Sequence, residues 1–355
     1  MRIVTRPDFD GVVCSVLLYE AEPISKPVNW VSPNDMQRGL IEIKPSDIIA
    51  NLPYDPRCTL WFDHHFSNRI HRPFKGLFEL APSAAGLVFR YYQNRFKRDF
   101  SELVNETDKI DSAGLSLDEI LFPERFPYVL LSMTIQSQVP SDAAYWNQLV
   151  ALLRTQPIQM VMADFTVQNR CEIVKRENQR YKELLKSHTT LNHHIAVTDF
   201  RDFDSMPQGN RFLVYSMFPE ASVSLKIGFH DKKKETMVIK IGHSILNQRC
   251  RVNIGQMLSY FEGGGHFGAG SCRFHASKTN TYLKKILDIL SKNDPQGSIV
   301  VKKERGGLDR RVLKDRRRKT DSAYSNDPAE ERRKNGPRRV TPEPRKNGSP
   351  IEKCS

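Results

Sequence analysis

Six residues, Leu60-Trp61-Phe62-Asp63-His64-His65, constrain this chain more than any other stretch. An apolar run ends in a carboxylate and two imidazoles, and the turn-like Phe66-Ser67-Asn68 follows. Cys58 to Phe62 reads as a short strand bounded by Pro56 and by the polar residues after His65. Ionisable groups at the carboxyl end of a buried strand sit where open α/β sheets place their ligands. Carboxylate plus imidazole suits a hard or borderline divalent cation, Mn2+ or Mg2+ more than Ca2+. Taken alone, Asp-His-His would suit a pair of structural histidines equally well, so the rest of the chain decides.

Arg2 to Thr5 is a β-type run stopped by Arg6-Pro7. Asp8-Phe9-Asp10-Gly11 forms a tight loop before an apolar helix from Val12 to Tyr19. Two carboxylates at i, i+2 can point into one site, and Gly11 lets backbone come close. The simpler reading of Asp8 is a helix cap. Residues 28–31 and 47–50 are further strands, the second ending at Asn51. Ser83 caps a helix running to about Phe96, and Asp108 and Asp111 share a face at i, i+3. Strands alternating with helices over 1–150 predict a parallel sheet covered on both faces. A charged helix from about Phe165 to Ser187 links this region to a smaller second sheet. Its strands are predicted at 194–198, 211–215, 223–227 and 237–241.

Helical Val252 to Phe261 leads into Glu262-Gly263-Gly264-Gly265-His266-Phe267-Gly268-Ala269-Gly270. So many glycines predict neither an ordinary strand nor a helix interior. They let backbone N–H groups reach an anion, with His266 as a further donor. The basic character is concentrated later: from Gln296 onward 18 Lys+Arg face 9 Asp+Glu, a net +9 of the chain's +13. Arg, Lys, Pro, Gly and Ser with few large apolar residues predict disorder there. Such a tail solubilises the chain or, in the sharper reading, tethers a polyanion.

No apolar run approaches the ~20 residues that span a bilayer. Arg2 leads directly into a strand and then Asp8 and Asp10, unlike a secretory leader. Six cysteines (14, 58, 171, 250, 272, 354) lack paired spacing, which disfavours a zinc site or disulfide framework and suits the reduced cytoplasm.

With Asp8-x-Asp10, Asp63-His64-His65 and Gly263-Gly264-Gly265-His266 in this order, the chain resembles the DHH/DHHA1 phosphoesterases. That superfamily includes RecJ-like exonucleases, oligoribonucleases, pAp phosphatases, cyclic-dinucleotide phosphodiesterases and exopolyphosphatases. The resemblance covers about residues 1–280. It implies an α/β protein with a parallel-sheet metal-binding catalytic domain (1–150) and a linker helix region (151–190). A smaller substrate-binding α/β domain with a mixed sheet (191–293) and a basic tail (294–355) would follow. It implies a Mn2+-dependent hydrolase of phosphoester or phosphoanhydride bonds, with Mg2+ as the second choice of ion. Substrates would be short oligonucleotides, pAp-like nucleotides, cyclic dinucleotides or polyphosphate, in a monomer or an oligomer.

By motif, Asp8, Asp10, His64 and Asp111 match metal ligands, with Asp108 second to Asp111. Asp63, His64 and His65 match the catalytic group. His65, Gly263, Gly264, Gly265 and His266 match the substrate-binding group. Two positions depart from the pattern. Val4 stands where many members carry a histidine, and Asn51 stands where a bridging aspartate is expected, counted among the metal ligands through an amide oxygen that supplies no charge. Two ions are expected, one of them held weakly. The alternative is a catalytically weakened nucleotide- or RNA-binding protein.

Overall fold

The computed structural model describes residues 1–135 and 142–295. Five parallel strands form the first sheet: β1 (Arg2–Thr5), β2 (Asn29–Trp30), β3 (Asp47–Ala50), β4 (Leu60–Asp63) and β5 (Gly76–Phe78). Their order is β2-β1-β3-β4-β5. In this doubly wound order the connections reverse direction between β1 and β3, which opens a crevice at the carboxyl ends of those strands.

Both faces of the sheet are buried, so the strands are apolar at successive positions rather than at alternate ones. Ile3, Ile48, Leu60 and Phe62 pack with the helix Phe9–Ala21 and its neighbours. Val4, Ile49 and Trp61 pack with Val31, Ile43 and Leu52 on the other face. A carboxylate inside such a sheet needs a partner, and buried Asp47 has one in Arg2, at 2.6 and 2.9 Å. Gly11 sets how close the first helix comes to β1, because a Cβ there would lie 1.9 Å from the Arg6 carbonyl oxygen.

The helix Phe165–His188 leads to a six-stranded mixed sheet of order β10-β11-β9-β8-β7-β6. Its strands are β6 (Thr189–Asn192), β7 (Ile195–Asp199), β8 (Val223–Phe229), β9 (Thr236–His243), β10 (Gly263–Gly265) and β11 (Ala269–His275). Only β7 and β8 pair in parallel. Alternation is strict here. Ile195, Leu225, Ile239 and Phe274 join the helix Thr279–Lys292 in one core, while Ala196 and Val238 face Tyr181 and Tyr215 in another. All described residues lie in one compact unit.

Three local expectations are corrected. Residues 211–215 are not a strand: Asn210 accepts from the Phe212 N–H at 3.0 Å, and the helix Leu213–Met217 follows. The glycine run is a strand after all. A Cβ on Gly263 would sit 2.4 Å from that of Cys272, and one on Gly255 would sit 2.2 Å from the Gly265 carbonyl oxygen. The glycines therefore let this edge strand press against its neighbours. The helix after Ser83 ends at Tyr92 rather than Phe96. The predicted basic tail lies, beyond residue 295, outside the described residues.

Candidate active site

The crevice between β1 and β3 gathers groups from four segments. Asp8 caps the first helix, accepting from the Gly11 N–H at 2.9 Å, as the simpler sequence reading had it. Asp10 lies in the first turn of that helix and is buried. It accepts from the Ala84 and Ala85 N–H groups at 3.0 and 2.7 Å, at the start of the helix Ala84–Tyr92. Those donors fix the carboxylate and complement its charge.

At the end of β4 the three motif residues divide their work. Asp63 Oδ1 accepts from the backbone N–H groups of His64 and His65 and from His65 Nδ1 at 2.8 Å, while Asn68 donates to Oδ2 at 2.6 Å. All of these bonds are internal and hold the His65 ring in place, and Asp63, His64 and His65 also offer three ligand atoms close enough to share one cation. His64 Nδ1 lies 2.9 Å from the Ala81 carbonyl oxygen, which places a proton on Nδ1 and, in the neutral ring, leaves a lone pair on Nε2. That Nε2 is buried without a hydrogen-bond partner. It stands 3.3 Å from Asp111 Oδ2 and 3.8 Å from Asp10 Oδ2.

A buried imidazole lone pair aimed at two carboxylates is unfavourable unless a cation joins them. The carboxylates carry the same message. Burial, then repulsion from Asp8, pushes Asp10 up to about 7; burial, then repulsion from Asp10, pushes Asp111 up to about 7. Asp10, His64 and Asp111 thus fit a divalent ion, with the Ala81 carbonyl holding the histidine from behind. Asp108 is engaged elsewhere, accepting from Ser83 Oγ at 2.5 Å.

Asp8 and Asn51 form the neighbouring group, close enough that the Asp8 carboxylate repels both Asp10 and Asp111. Asn51, buried and in the left-handed backbone region at φ 56°, donates from Nδ2 to Asp8 Oδ1 at 3.0 Å. Arg6, which sequence reasoning did not single out, pairs with Asp8 Oδ2 at 2.8 Å. Its position between β1 and the Asp-x-Asp motif was the available signal.

The second sheet supplies the opposing wall. His266 follows β10, and its ring centroid lies 6.0 Å from that of His65. The loop is pinned: the His266 N–H donates to Ala269 O at 2.7 Å, and its carbonyl accepts from Gly255 N–H at 2.8 Å. The backbone N–H of residue 266 is therefore used internally, and its imidazole faces His65 across the cleft. The two facing imidazoles differ. Burial disfavours the charged form of His65, but the Asp63 carboxylate outweighs it and raises the pKa. Burial, with His65 and Arg6 nearby, lowers that of His266.

No protein-family model and no curated protein matches this sequence. Among solved structures, the chain is similar to the pGpG-specific phosphodiesterase PggH from Vibrio cholerae, at TM-score 0.72 and 29% identity. That match covers 82% of this chain and 99% of the other. RecJ from Thermus thermophilus, in complex with Mn2+, shares the fold at TM-score 0.52 and 12% identity. There the match covers 82% of this chain and 52% of RecJ. The phosphodiesterase is matched nearly end to end, and the Asp-x-Asp, Asp-His-His and Gly-Gly-Gly-His motifs converge on one cleft, so the chain has the fold and the motif set of the DHH/DHHA1 phosphoesterases, hydrolases of phosphoester bonds.

Proposed function

We propose that this protein is a divalent-metal-dependent phosphodiesterase that cleaves short linear oligonucleotides, with 5′-phosphorylated dinucleotides of the pGpG type as preferred substrate. The observation carrying this reading is the convergence of Asp10, His64 and Asp111 opposite His65 and His266. The substrate class follows from similarity to a pGpG-specific enzyme over nearly its whole length.

Asp10, His64 and Asp111 would hold the ion, Mn2+ by preference for this mixed carboxylate and imidazole set. When bound, it supplies Lewis acidity and positive charge to the scissile phosphate. The chain's own groups do the rest. Asp63 locks the His65 ring and favours its protonated form, so that Nε2 presents a cationic donor to a phosphate oxygen. His266, kept neutral near pH 7, offers a hydrogen bond from the opposite wall without adding a second charge. Asp8 sets the helix and, through Arg6, keeps a guanidinium at the cleft. With Asn51 supplying an amide instead of a carboxylate, we infer one tightly held ion.

The test is turnover of pGpG, pAp, cyclic di-GMP and polyphosphate by the metal-free protein with Mn2+ added back. The reading predicts release of GMP from pGpG with kcat/KM at least about 10-fold above the others, a difference of ~1.4 kcal/mol in transition-state binding. No turnover of pGpG, or faster release of phosphate from polyphosphate, would contradict it.

A further inference from the structure

Arg6 follows β1 directly and precedes Pro7-Asp8, and its backbone is held from both sides. The Asp8 N–H donates to its carbonyl at 3.0 Å, and Gly11 packs against the same oxygen. Proline after it also steers Arg6 away from helical backbone, so the side chain leaves from a fixed point. Only Nε is used: it stands 2.8 Å from Asp8 Oδ2. Among the described residues neither terminal NH2 group donates a hydrogen bond, and the side chain is 38% exposed. A guanidinium with both terminal groups free has the shape that grips two oxygens of one phosphate. Its charge also reaches both walls of the cleft. Behind burial and the nearer groups, it opposes protonation of His65 and of His266, whose rings face each other at 6.0 Å.

The same arrangement leaves little room for a second ion. Asp8 Oδ1 takes the Gly11 N–H and the Asn51 amide, so Oδ2 is the oxygen open to a cation, and Arg6 already sits on it. Asn51 turns its NH2 to Asp8, and its Oδ1 is buried without a partner. A divalent ion on Asp8 would have to displace the guanidinium or stand beside it as a like charge. This side of the crevice does not fit a second ion, and it holds a fixed cation instead.

Resting on the phosphodiesterase reading above, we propose that Arg6 is a catalytic residue whose terminal NH2 groups bind the scissile phosphate and supply the charge that a second ion would otherwise bring. Asp8 then holds a guanidinium and ligates no metal. Arginine keeps its protons throughout, so it stabilises the negative charge growing on the phosphate oxygens and transfers no proton.

The experiment uses the full-length protein as wild type, Arg6→Ala, Arg6→Lys, Asn51→Asp and Arg6→Ala/Asn51→Asp. Arg6→Ala should lower kcat on pGpG by about 10²- to 10³-fold, the scale for one electrostatic stabiliser at the reacting centre. Its Kd for Mn2+ should stay within about 3-fold of wild type. Guanidinium ion, added far below denaturing concentrations, should return part of that activity without moving the melting temperature. Arg6→Lys should fall between the two, as a point charge without the fork. Calorimetry with Mn2+ alone needs no turnover. There Arg6→Ala/Asn51→Asp should bind a second equivalent at least about 10-fold more tightly than Asn51→Asp, because the competing cation is gone.

An Arg6→Ala that keeps kcat within about 3-fold, or loses its Mn2+ affinity along with its activity, would overturn the assignment and leave the hydrolase standing. So would a second tight equivalent in wild type, or equal second affinities in the two Asn51→Asp backgrounds. A wild type that turns over no pGpG would bring down the phosphodiesterase reading and the assignment with it.

Discussion

Asp8 and Asp10 stand two residues apart and meet opposite fates. Around Asp8 every charge is answered: the Gly11 N–H, the Asn51 amide and the Arg6 guanidinium all donate to it. Around Asp10 the acceptors outnumber the donors. Two backbone N–H groups hold its carboxylate, yet Asp111 and the lone pair of His64 crowd the same space. Both sides are built from one motif, so the difference lies in what the neighbouring loops bring. The β3 loop brings an amide, and the β4 loop brings an imidazole whose proton is already committed to the Ala81 carbonyl. Surplus acceptors in a buried place call for a cation, and on the Asp8 side the one acceptor left without a partner is the neutral Asn51 Oδ1.

That contrast breaks most readily at His64. His64→Ala should remove tight Mn2+ binding and lower kcat on pGpG by roughly 10²- to 10³-fold, the scale for losing one electrostatic stabiliser at the reacting centre. Circular dichroism should show the fold intact, and a variant that keeps its Mn2+ affinity would remove the distinction between the two sides. Asp63→Asn should cost about 10- to 100-fold in kcat by loosening His65, as loss of a supporting partner does. It should also shift the kinetic pKa assigned to His65 downward, since the carboxylate that favours its charged form is gone.

Asn51→Asp tests the answered side. A second carboxylate facing Asp8 should destabilise the metal-free protein by about 1–3 kcal/mol, the scale of a buried polar mismatch, and Mn2+ should restore that stability through a second bound ion. Denaturant unfolding with and without Mn2+ reads both effects. The smallest effect is on the metal-free wild type. Asp10 and Asp111 bind protons more tightly folded, near 7, than in the unfolded chain, near the usual value of about 4. The folded state therefore holds more protons in that window, and melting temperature should fall as pH rises through it. With saturating Mn2+ that trend should flatten or reverse, because ion binding needs the carboxylates deprotonated.

Much of this was legible in the sequence where one residue type has one physical use. Strands alternating with helices over 1–150 announced a sheet buried on both faces, and Asp63-His64-His65 at a strand end announced the cleft. What was not legible depended on partners far along the chain. Arg211 to Tyr215 has the composition of a strand, but Asn210 turns it into a helix whose Tyr215 hydroxyl donates to the Gly242 carbonyl oxygen on β9. The glycines of β10 suggested an anion loop, and the packing that Gly263 and Gly265 also serve was not visible from them alone.

The central claim is that the cation belongs to Asp10, His64 and Asp111 and not to Asp8. Titrating metal-free wild type, Asp8→Asn and Asp111→Asn with Mn2+ by calorimetry tests it directly. One tight equivalent in wild type, kept in Asp8→Asn and lost in Asp111→Asn, is the predicted result. Two equally tight equivalents in wild type, or the same loss of affinity in both variants, would contradict it.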